Sequence, residues 1–391
     1  MIDLQRITTS RNALTLASVP QGFAPLLLAD LTRAAKARTL YIAPDEAAMR
    51  AIADAVPFFA PELEILILPG WDCLPYDRAS PSVAVTSQRM STLQALQQPA
   101  KKKQLVVTTI GAVIQKYVTP FRIRQTGERL AAGREISRER LASLLQSNGY
   151  FRVDTVADAG EFAIRGSIVD LFPAGSEVGL RLDFFGDEIE SIRRFNPSDQ
   201  RSIDQVEHFD ILPAVEALMD EDAIKRFRVG YRERFGVTAT GDPLYQAVSE
   251  GRRLSGMDHW LPLFEERMAT IFDHVGADAL VIRDSGAIAA GQSRLDSITD
   301  YHENRVKAQA AEPGSYRPLP PEMLYLSGGE LDQLFNDNAA HLITPFAQPD
   351  SASVIDFGIA AARDFAPERT QKANVYEAVA AHLKSLHSKK T

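Results

Sequence analysis

Residues 160–195 read GEFAIRGSIVDLFPAGSEVGLRLDFFGDEIESIRRF and have the pattern of consecutive antiparallel strands. Short runs of apolar, β-branched and aromatic residues are separated by turn sequences at residues 173–176 and 186–187. This pattern predicts a β-meander. Because the flanking chain has a different pattern, we expect the meander to belong to a small domain of its own.

The third run of the meander predicts one apolar and one mixed face. Side chains alternate along a strand, so Arg181, Asp183 and Phe185 share one face. Leu182 and Phe184 share the opposite face. Arginine and aromatic side chains are enriched in binding hot spots, which favours a binding surface. The alternative is that Phe185 belongs to the core and Arg181 is a solvated charge at the edge of the sheet.

Composition predicts a soluble chain of two or three domains. The chain has 391 residues, of which 45% are hydrophobic and 24% charged, and a formal net charge of −8. No apolar run is long enough to cross a bilayer, and the first residues lack an export signal. A single cysteine, Cys73, and seven histidines without metal-ligand spacing argue against disulfides and a metal site. We therefore expect a cytoplasmic protein without membrane contact or bound metal.

Short apolar strands alternate with helical patterns both before and after the meander. Such alternation predicts a parallel sheet covered by helices. The expected fold is an α/β domain that is split in sequence and carries an inserted small α+β domain. The expected boundaries are residues 1–119 and 211–345 for the α/β domain, residues 120–210 for the insert, and residues 346–391 for a linker and the start of a further, truncated domain.

The first strand, loop and helix have the frame of a phosphate-binding loop without its chemistry. Such a loop needs closely spaced glycines, a lysine and a Ser or Thr. Here the loop is residues 20–25, PQGFAP, and its centre is Gln21, Gly22 and Phe23. It has one glycine, no lysine and no hydroxyl, and Pro25 lacks an N–H donor. We expect this degenerate loop to bind no nucleotide.

Several segments resemble the N-terminal portion of the bacterial transcription-repair coupling factors. The resemblance extends over about residues 1–345. The matching segments are PGWDCLPYDRASPSVAVTSQRMSTLQAL (residues 69–96), LVVTTIGAVIQK (105–116), SNGYFRVDTVADAGEFAIRGSIVDLFPAGSEVGLRLDFFGDEIESIRRF (147–195) and HWLPLFEE (259–266).

The resemblance implies a module similar to the nucleotide-excision-repair protein UvrB, whose inserted domain docks the repair ATPase UvrA. It implies that Arg165, in FAIRG, and Arg181 and Phe185, in RLDFF, are the centre of the docking face. It also implies that later domains of the family bind RNA polymerase and DNA, and that ATP and magnesium belong to a translocase motor there. A C-terminal domain is implied to fold back over the docking face.

The favoured function is an adaptor that recruits UvrA to stalled RNA polymerase and is not itself an enzyme, with no catalytic residues and no cofactor. One alternative is a UvrB-like DNA-dependent ATPase that binds damage. The degenerate loop argues against it, and the gap between Tyr76 and Gln88 is too short for the DNA-clamping hairpin of UvrB. Another alternative is an autoinhibitory brake on the motor, which the sequence does not separate from the adaptor.

We expect the loop around Gly22 not to bind nucleotide, so nucleotide should not change the stability of the protein. A ligand that binds the folded state alone must raise the melting temperature. Millimolar Mg-ATP is therefore expected to leave the melting temperature unchanged in a thermal unfolding experiment. A rise of several degrees would contradict this expectation.

Overall fold

The computed structural model describes residues 4–236, 241–311, 316–371 and 374–388. These residues contain a seven-stranded parallel sheet, a six-stranded sheet and a two-stranded sheet. The strands are β1 (Thr15–Ala17), β2 (Thr39–Ala43), β3 (Glu64–Leu68), β4 (Gln104–Thr109), β5 (Glu128–Ala131), β6 (Phe151–Arg152), β7 (Glu161–Arg165), β8 (Ile168–Leu171), β9 (Gly179–Phe185), β10 (Glu188–Phe195), β11 (Ser202–Val206), β12 (His208–Ile211), β13 (Leu280–Asp284), β14 (His341–Ile343) and β15 (Val354–Asp356).

Helices cover the sheets, and a 3₁₀ helix spans Met257–Leu263. The α-helices are α1 (Leu4–Thr9), α2 (Ala24–Ala34), α3 (Glu46–Phe59), α4 (Val83–Leu96), α5 (Ile110–Ile114), α6 (Pro120–Thr126), α7 (Arg138–Ser147), α8 (Glu221–Phe235), α9 (Pro243–Ser249), α10 (Ile271–Val275), α11 (Gly286–Ala311), α12 (Pro321–Leu324), α13 (Gly328–Asp337), α14 (Ala366–Thr370) and α15 (Val375–Ser388).

The seven-stranded sheet is assembled from both ends of the chain. Its order is β15-β1-β14-β13-β2-β4-β3, and each neighbouring pair is parallel. Along β2, Leu40 and Ile42 contact one apolar core while Tyr41 and Ala43 contact the other. Both faces of the sheet are therefore buried, as expected for parallel strands. The predicted split α/β fold with an inserted domain is confirmed.

The six-stranded sheet contains the predicted meander. Strands β7 to β11 are neighbours in chain order and pair antiparallel, and β6 pairs parallel to β7. One face of this sheet packs with α7 on an apolar core of its own, in which Leu141, Leu145 and Phe162 are fully buried. Strands β5 and β12 pair where the chain enters and leaves this region.

The structure differs from the expected boundaries at two places. Helix α6 belongs to the α/β domain, because its Ile123 is fully buried in that domain's core. The arginine-rich sequence of residues 120–126 conceals this single buried position. At the other end, β15 pairs with β1, so the parallel sheet extends into residues for which the sequence predicts a linker. A three-residue strand is too short to give a periodic signal.

Helix α4 lies between the two domains and is buried on most of its circumference. The insert approaches it at two glycines with positive φ, Gly160 (+87°) and Gly175 (+74°). A β-carbon at Gly160 would lie 2.5 Å from Val83, and one at Gly175 would lie 2.7 Å from Ser91. Both distances are too short for a side chain, so these glycines allow the insert to pack directly on α4.

A buried ion pair fixes the chain where it returns from the insert. Arg89 on α4 donates to Glu216 through Nε (2.7 Å) and Nη2 (3.0 Å), and the side chains are 0% and 1% exposed. Arg89 Nη1 also donates to the Pro69 carbonyl, and the Trp71 indole donates to Glu216 at 2.7 Å. Burial acts to lower the pKa of Arg89, but Glu216 more than offsets it, so the pKa lies above its ordinary value.

Breaking this pair is expected to be costly. Glu216→Leu leaves the Arg89 charge buried without a partner and should lower the free energy of unfolding by about 3–5 kcal/mol. The double variant Arg89→Met, Glu216→Leu removes both charges and should be more stable than Glu216→Leu alone. Urea unfolding of the three proteins tests this expectation. A double variant that is no more stable than Glu216→Leu alone would contradict it.

Candidate partner-binding face

Strand β9 divides its side chains between the core of the insert and its outer face. Leu182 is fully buried and Phe184 is 5% exposed, whereas Phe185 is 79% exposed. The predicted alternation is therefore confirmed, and the alternative that Phe185 belongs to the core is wrong. Phe185 stands at the tip of the β9–β10 hairpin, immediately before Gly186, which has φ +63° and forms the tight turn. The hairpin thus presents an aromatic ring to solvent on a rigid support.

Arg181 is held by a buried carboxylate rather than free in solvent. Asp170 lies directly opposite it on β8 and is fully buried. Arg181 donates to both carboxylate oxygens of Asp170, from Nε at 2.7 Å and from Nη2 at 3.0 Å. Its guanidinium also lies over the ring of Phe195, 4.9 Å from the centroid, and its side chain is 16% exposed. The hydrogen bonds to Asp170 raise the pKa of Arg181 despite partial burial.

Arg165 reaches the same carboxylate from the other side. It lies on β7, and β8 separates it from β9, so it is not a direct neighbour of the Arg181 strand. Its Nη2 donates to Asp170 Oδ2, and its side chain is 48% exposed. Asp170 therefore connects the two arginines across three strands. The structure brings the predicted residues onto one face, with Arg165 and Phe185 accessible and Arg181 mainly beneath the surface.

Sequence reasoning missed the acidic partners on this face. A second pair lies beside the first, because Arg193 donates to Asp183 at 2.6 Å and is 41% exposed. The ion pairs on this face thus join Arg165, Arg181 and Arg193 to two aspartates, and the exposed Glu188 lies opposite Phe185 at the tip of the hairpin. The sequence contains a signal for Asp170, which is a lone charge in the otherwise apolar strand Ile168–Leu171. A buried charge requires a partner, and arginine is the best one for a carboxylate.

Two backbone N–H groups of the degenerate loop are already hydrogen-bonded within the loop. The N–H groups of Phe23 and Ala24 both donate to the Pro20 carbonyl, at 2.9 and 3.1 Å. Phosphate bound at this helix terminus would need such groups free. The ring of Phe23 packs against Phe357 with centroids 5.7 Å apart. Gln21 and Gly22 are exposed, and nothing lies within 4 Å of a β-carbon built on Gly22.

The described part of the chain contains neither a metal-binding cluster nor a membrane-spanning helix. In the ranges that the structure describes, no cluster of three or more His, Cys, Asp or Glu side chains could hold a metal ion. Across these ranges, no helix combines the length and apolar character needed to cross a membrane.

Comparison with protein families gives a match that covers the insert. The family described as "UvrB interaction domain" matches residues 129–216. This range begins within β5 and ends at Glu216, so it contains the outer face and the acidic member of the anchoring ion pair, whereas Arg89 lies before it.

Transcription-repair-coupling factors match most of the chain. The protein of Escherichia coli (strain K12) is 33% identical over 351 residues, which is 89% of this chain and 30% of that protein. The protein of Haemophilus influenzae is 31% identical over 81% of this chain and 27% of that protein. The protein of Myxococcus xanthus is 34% identical over 78% and 26%, respectively. The chain therefore spans less than a third of the length of these relatives. Together with the fold, these matches support the assignment of the chain as an N-terminal, UvrB-like module of the transcription-repair coupling factor family.

Proposed function

We propose that this chain is an adaptor that recruits UvrA to stalled RNA polymerase through the outer face of its insert. The observation that carries the proposal is the exposed ring of Phe185 on the same sheet face as the arginines that are held by buried Asp170. Aromatic and arginine side chains dominate binding hot spots, and this face combines an exposed aromatic ring with arginines held in place. The matched family description adds support, since it names an interaction domain.

The arrangement of charges on the outer face indicates the chemistry of the surface that it would bind on UvrA. Asp170 holds the two guanidiniums in place before binding, which reduces the conformational entropy lost on docking. Arg165 is half exposed and can donate its remaining N–H groups to a partner carboxylate. The adaptor is thus proposed to recognise an acidic patch on UvrA that also has an apolar recess for Phe185.

The same proposal assigns no nucleotide chemistry to this chain. The N–H groups of Phe23 and Ala24 are bonded to the Pro20 carbonyl, which favours the adaptor over a DNA-dependent ATPase. We propose that ATP, magnesium, RNA polymerase and DNA are bound by other domains of the full-length relatives. In this view the chain supplies the connection to repair, while the motor acts on transcription.

Removal of the Phe185 ring is expected to weaken UvrA binding. Truncation of a hot-spot residue typically costs about 2–4 kcal/mol, so Phe185→Ala should reduce affinity about thirtyfold or more. Because the ring is exposed, the melting temperature should stay the same. Surface plasmon resonance with immobilised UvrA measures the effect. Phe58→Ala is the matched control, because Phe58 is 84% exposed on α3 of the other domain.

Equal affinities of Phe185→Ala, Arg165→Ala and the parent would place the docking surface elsewhere. Equal losses for Phe185→Ala and Phe58→Ala would mean that exposed phenylalanines contribute nonspecifically. Either result would contradict the proposed face.

Arg181 is expected to act on stability as well as on binding. Arg181→Ala removes the two-point contact with a fully buried carboxylate, while Arg165 still reaches Asp170. The free energy of unfolding should therefore fall by about 2 kcal/mol. Arg152→Ala is the control, because this exposed arginine on β6 has no ion pair among the described residues, and its effect should stay within about 0.5 kcal/mol. Denaturant unfolding that leaves Arg181→Ala as stable as the parent would contradict this role.

A further inference from the structure

A cavity of about 320 Å³ lies in the α/β domain, away from the insert. Its volume is in the range of small ligand sites. Its walls come from the loop before α4, from α8 and α9, from the 3₁₀ helix and from the chain that precedes α12. The lining residues are Arg78, Tyr231, Asp242, Pro243, Leu244, Leu254, Ser255, Trp260, Tyr316 and Arg317.

The inner part of the cavity is aromatic and apolar. Tyr231 is fully buried, and Leu244 and Trp260 are each 5% exposed. The rings of Trp260 and Tyr316 lie 4.5 Å apart at an angle of 48°. Such walls suit a flat aromatic group, which gains from ring contacts in addition to the burial of its surface.

The buried hydroxyl groups of this cavity have unused hydrogen-bonding capacity. Tyr316 carries a buried hydroxyl that makes no hydrogen bond with a described residue, and the Tyr231 hydroxyl interacts with the Asp242 carboxylate but can still accept a hydrogen bond. Asp242 is already engaged, because its carboxylate accepts the Leu244 N–H at 2.8 Å and lies 3.5 Å from Arg317. A buried hydroxyl without a partner is costly, so a ligand that bonds to it gains free energy.

The mouth of the cavity carries a free positive charge. Arg78 is exposed, and its guanidinium makes no ion pair or hydrogen bond within the described residues. Its backbone is fixed, because Gly256 has φ +80° and a β-carbon there would lie 2.7 Å from the Arg78 carbonyl. The Leu254 side chain, 39% exposed, adds an apolar rim.

We propose that this cavity receives a tryptophan side chain from a partner protein segment that carries an adjacent carboxylate. The indole ring would lie against Trp260 and Tyr316, its N–H would donate to a tyrosine hydroxyl, and the carboxylate would pair with Arg78. A polar-tipped aromatic fits because the walls are mainly aromatic and apolar, with the hydroxyl groups and the Asp242–Arg317 pair as their polar part. This site is independent of the UvrA-docking face.

The charge at the mouth argues against a nucleic-acid strand as the occupant. Strand binding requires several basic side chains that follow successive phosphates. Here the other arginine of the lining, Arg317, is 15% exposed and already lies beside Asp242. A single free guanidinium matches one carboxylate next to one anchoring ring.

The test uses the whole chain and three tripeptides in saturation-transfer NMR titrations at low salt. The probes are acetylated and amidated Glu-Trp-Glu, Lys-Trp-Lys and Glu-Phe-Glu. We expect Glu-Trp-Glu to bind with a Kd on the order of 1 mM and more tightly than the other two. Arg78→Glu should reverse the preference between Glu-Trp-Glu and Lys-Trp-Lys, with about a tenfold change for each. Arg201→Glu, at an exposed position in the insert, is the charge-matched control and should leave both affinities unchanged.

A second variant tests the inner part of the cavity. Tyr231→Phe removes one hydroxyl and keeps the ring, so the fold should be retained. It should weaken Glu-Trp-Glu several-fold and leave Glu-Phe-Glu unchanged, because phenylalanine has no polar tip. The proposal is overturned if the peptides do not saturate up to about 10 mM, or if Arg78→Glu and Arg201→Glu have equal effects. Binding of a thymidine oligonucleotide that competes with Glu-Trp-Glu and is lost in Arg78→Glu would assign the cavity to nucleic acid instead.

Discussion

The buried ion pair between Arg89 and Glu216 is the constraint on which the relation of the two domains depends. It joins the helix that precedes the insert to the chain that follows it. Two fully desolvated charges are tolerated because each has further partners, the Pro69 carbonyl for Arg89 and the Trp71 indole for Glu216. Apolar contact alone would allow the insert to slide on α4, whereas the directional bonds of this pair fix one arrangement.

The outer face of the insert also depends on a buried charge with partners of opposite sign. Asp170 is buried within the sheet, and Arg165 and Arg181 surround it. Arg181 is mostly buried and bonds to Asp170 on the neighbouring strand, so the accessible part of the face includes Arg165, Arg193 and Phe185. A carboxylate buried beneath Arg165 and Arg181 on the same face therefore determines where these two arginines point. The proposed docking face can therefore carry charged side chains and still be part of a stable domain.

Much of this arrangement was predictable from the sequence. The meander and the parallel strands have clear periodicity, and the alternation along β9 correctly put Phe185 on the face opposite Leu182 and Phe184, although it did not decide which face is exposed. The burial of Arg181 was not predictable from its own strand, because it depends on Asp170, which lies on another strand and becomes its neighbour only through pairing. Helix α6 and strand β15 were missed because each contributes too few buried positions to show a pattern. Features that follow from local sequence patterns could be predicted, whereas features that depend on the pairing of distant strands could not.

Hydrogen exchange of the chain with and without UvrA tests the central claim most directly, because it locates the contact without a substitution. On binding, backbone amides of the β9–β10 hairpin and of β7 are expected to become protected. Amides of α3 and α8 in the other domain should exchange at unchanged rates. Protection confined to the α/β domain, with the hairpin amides unaffected, would contradict the assignment of the outer face as the UvrA-docking surface.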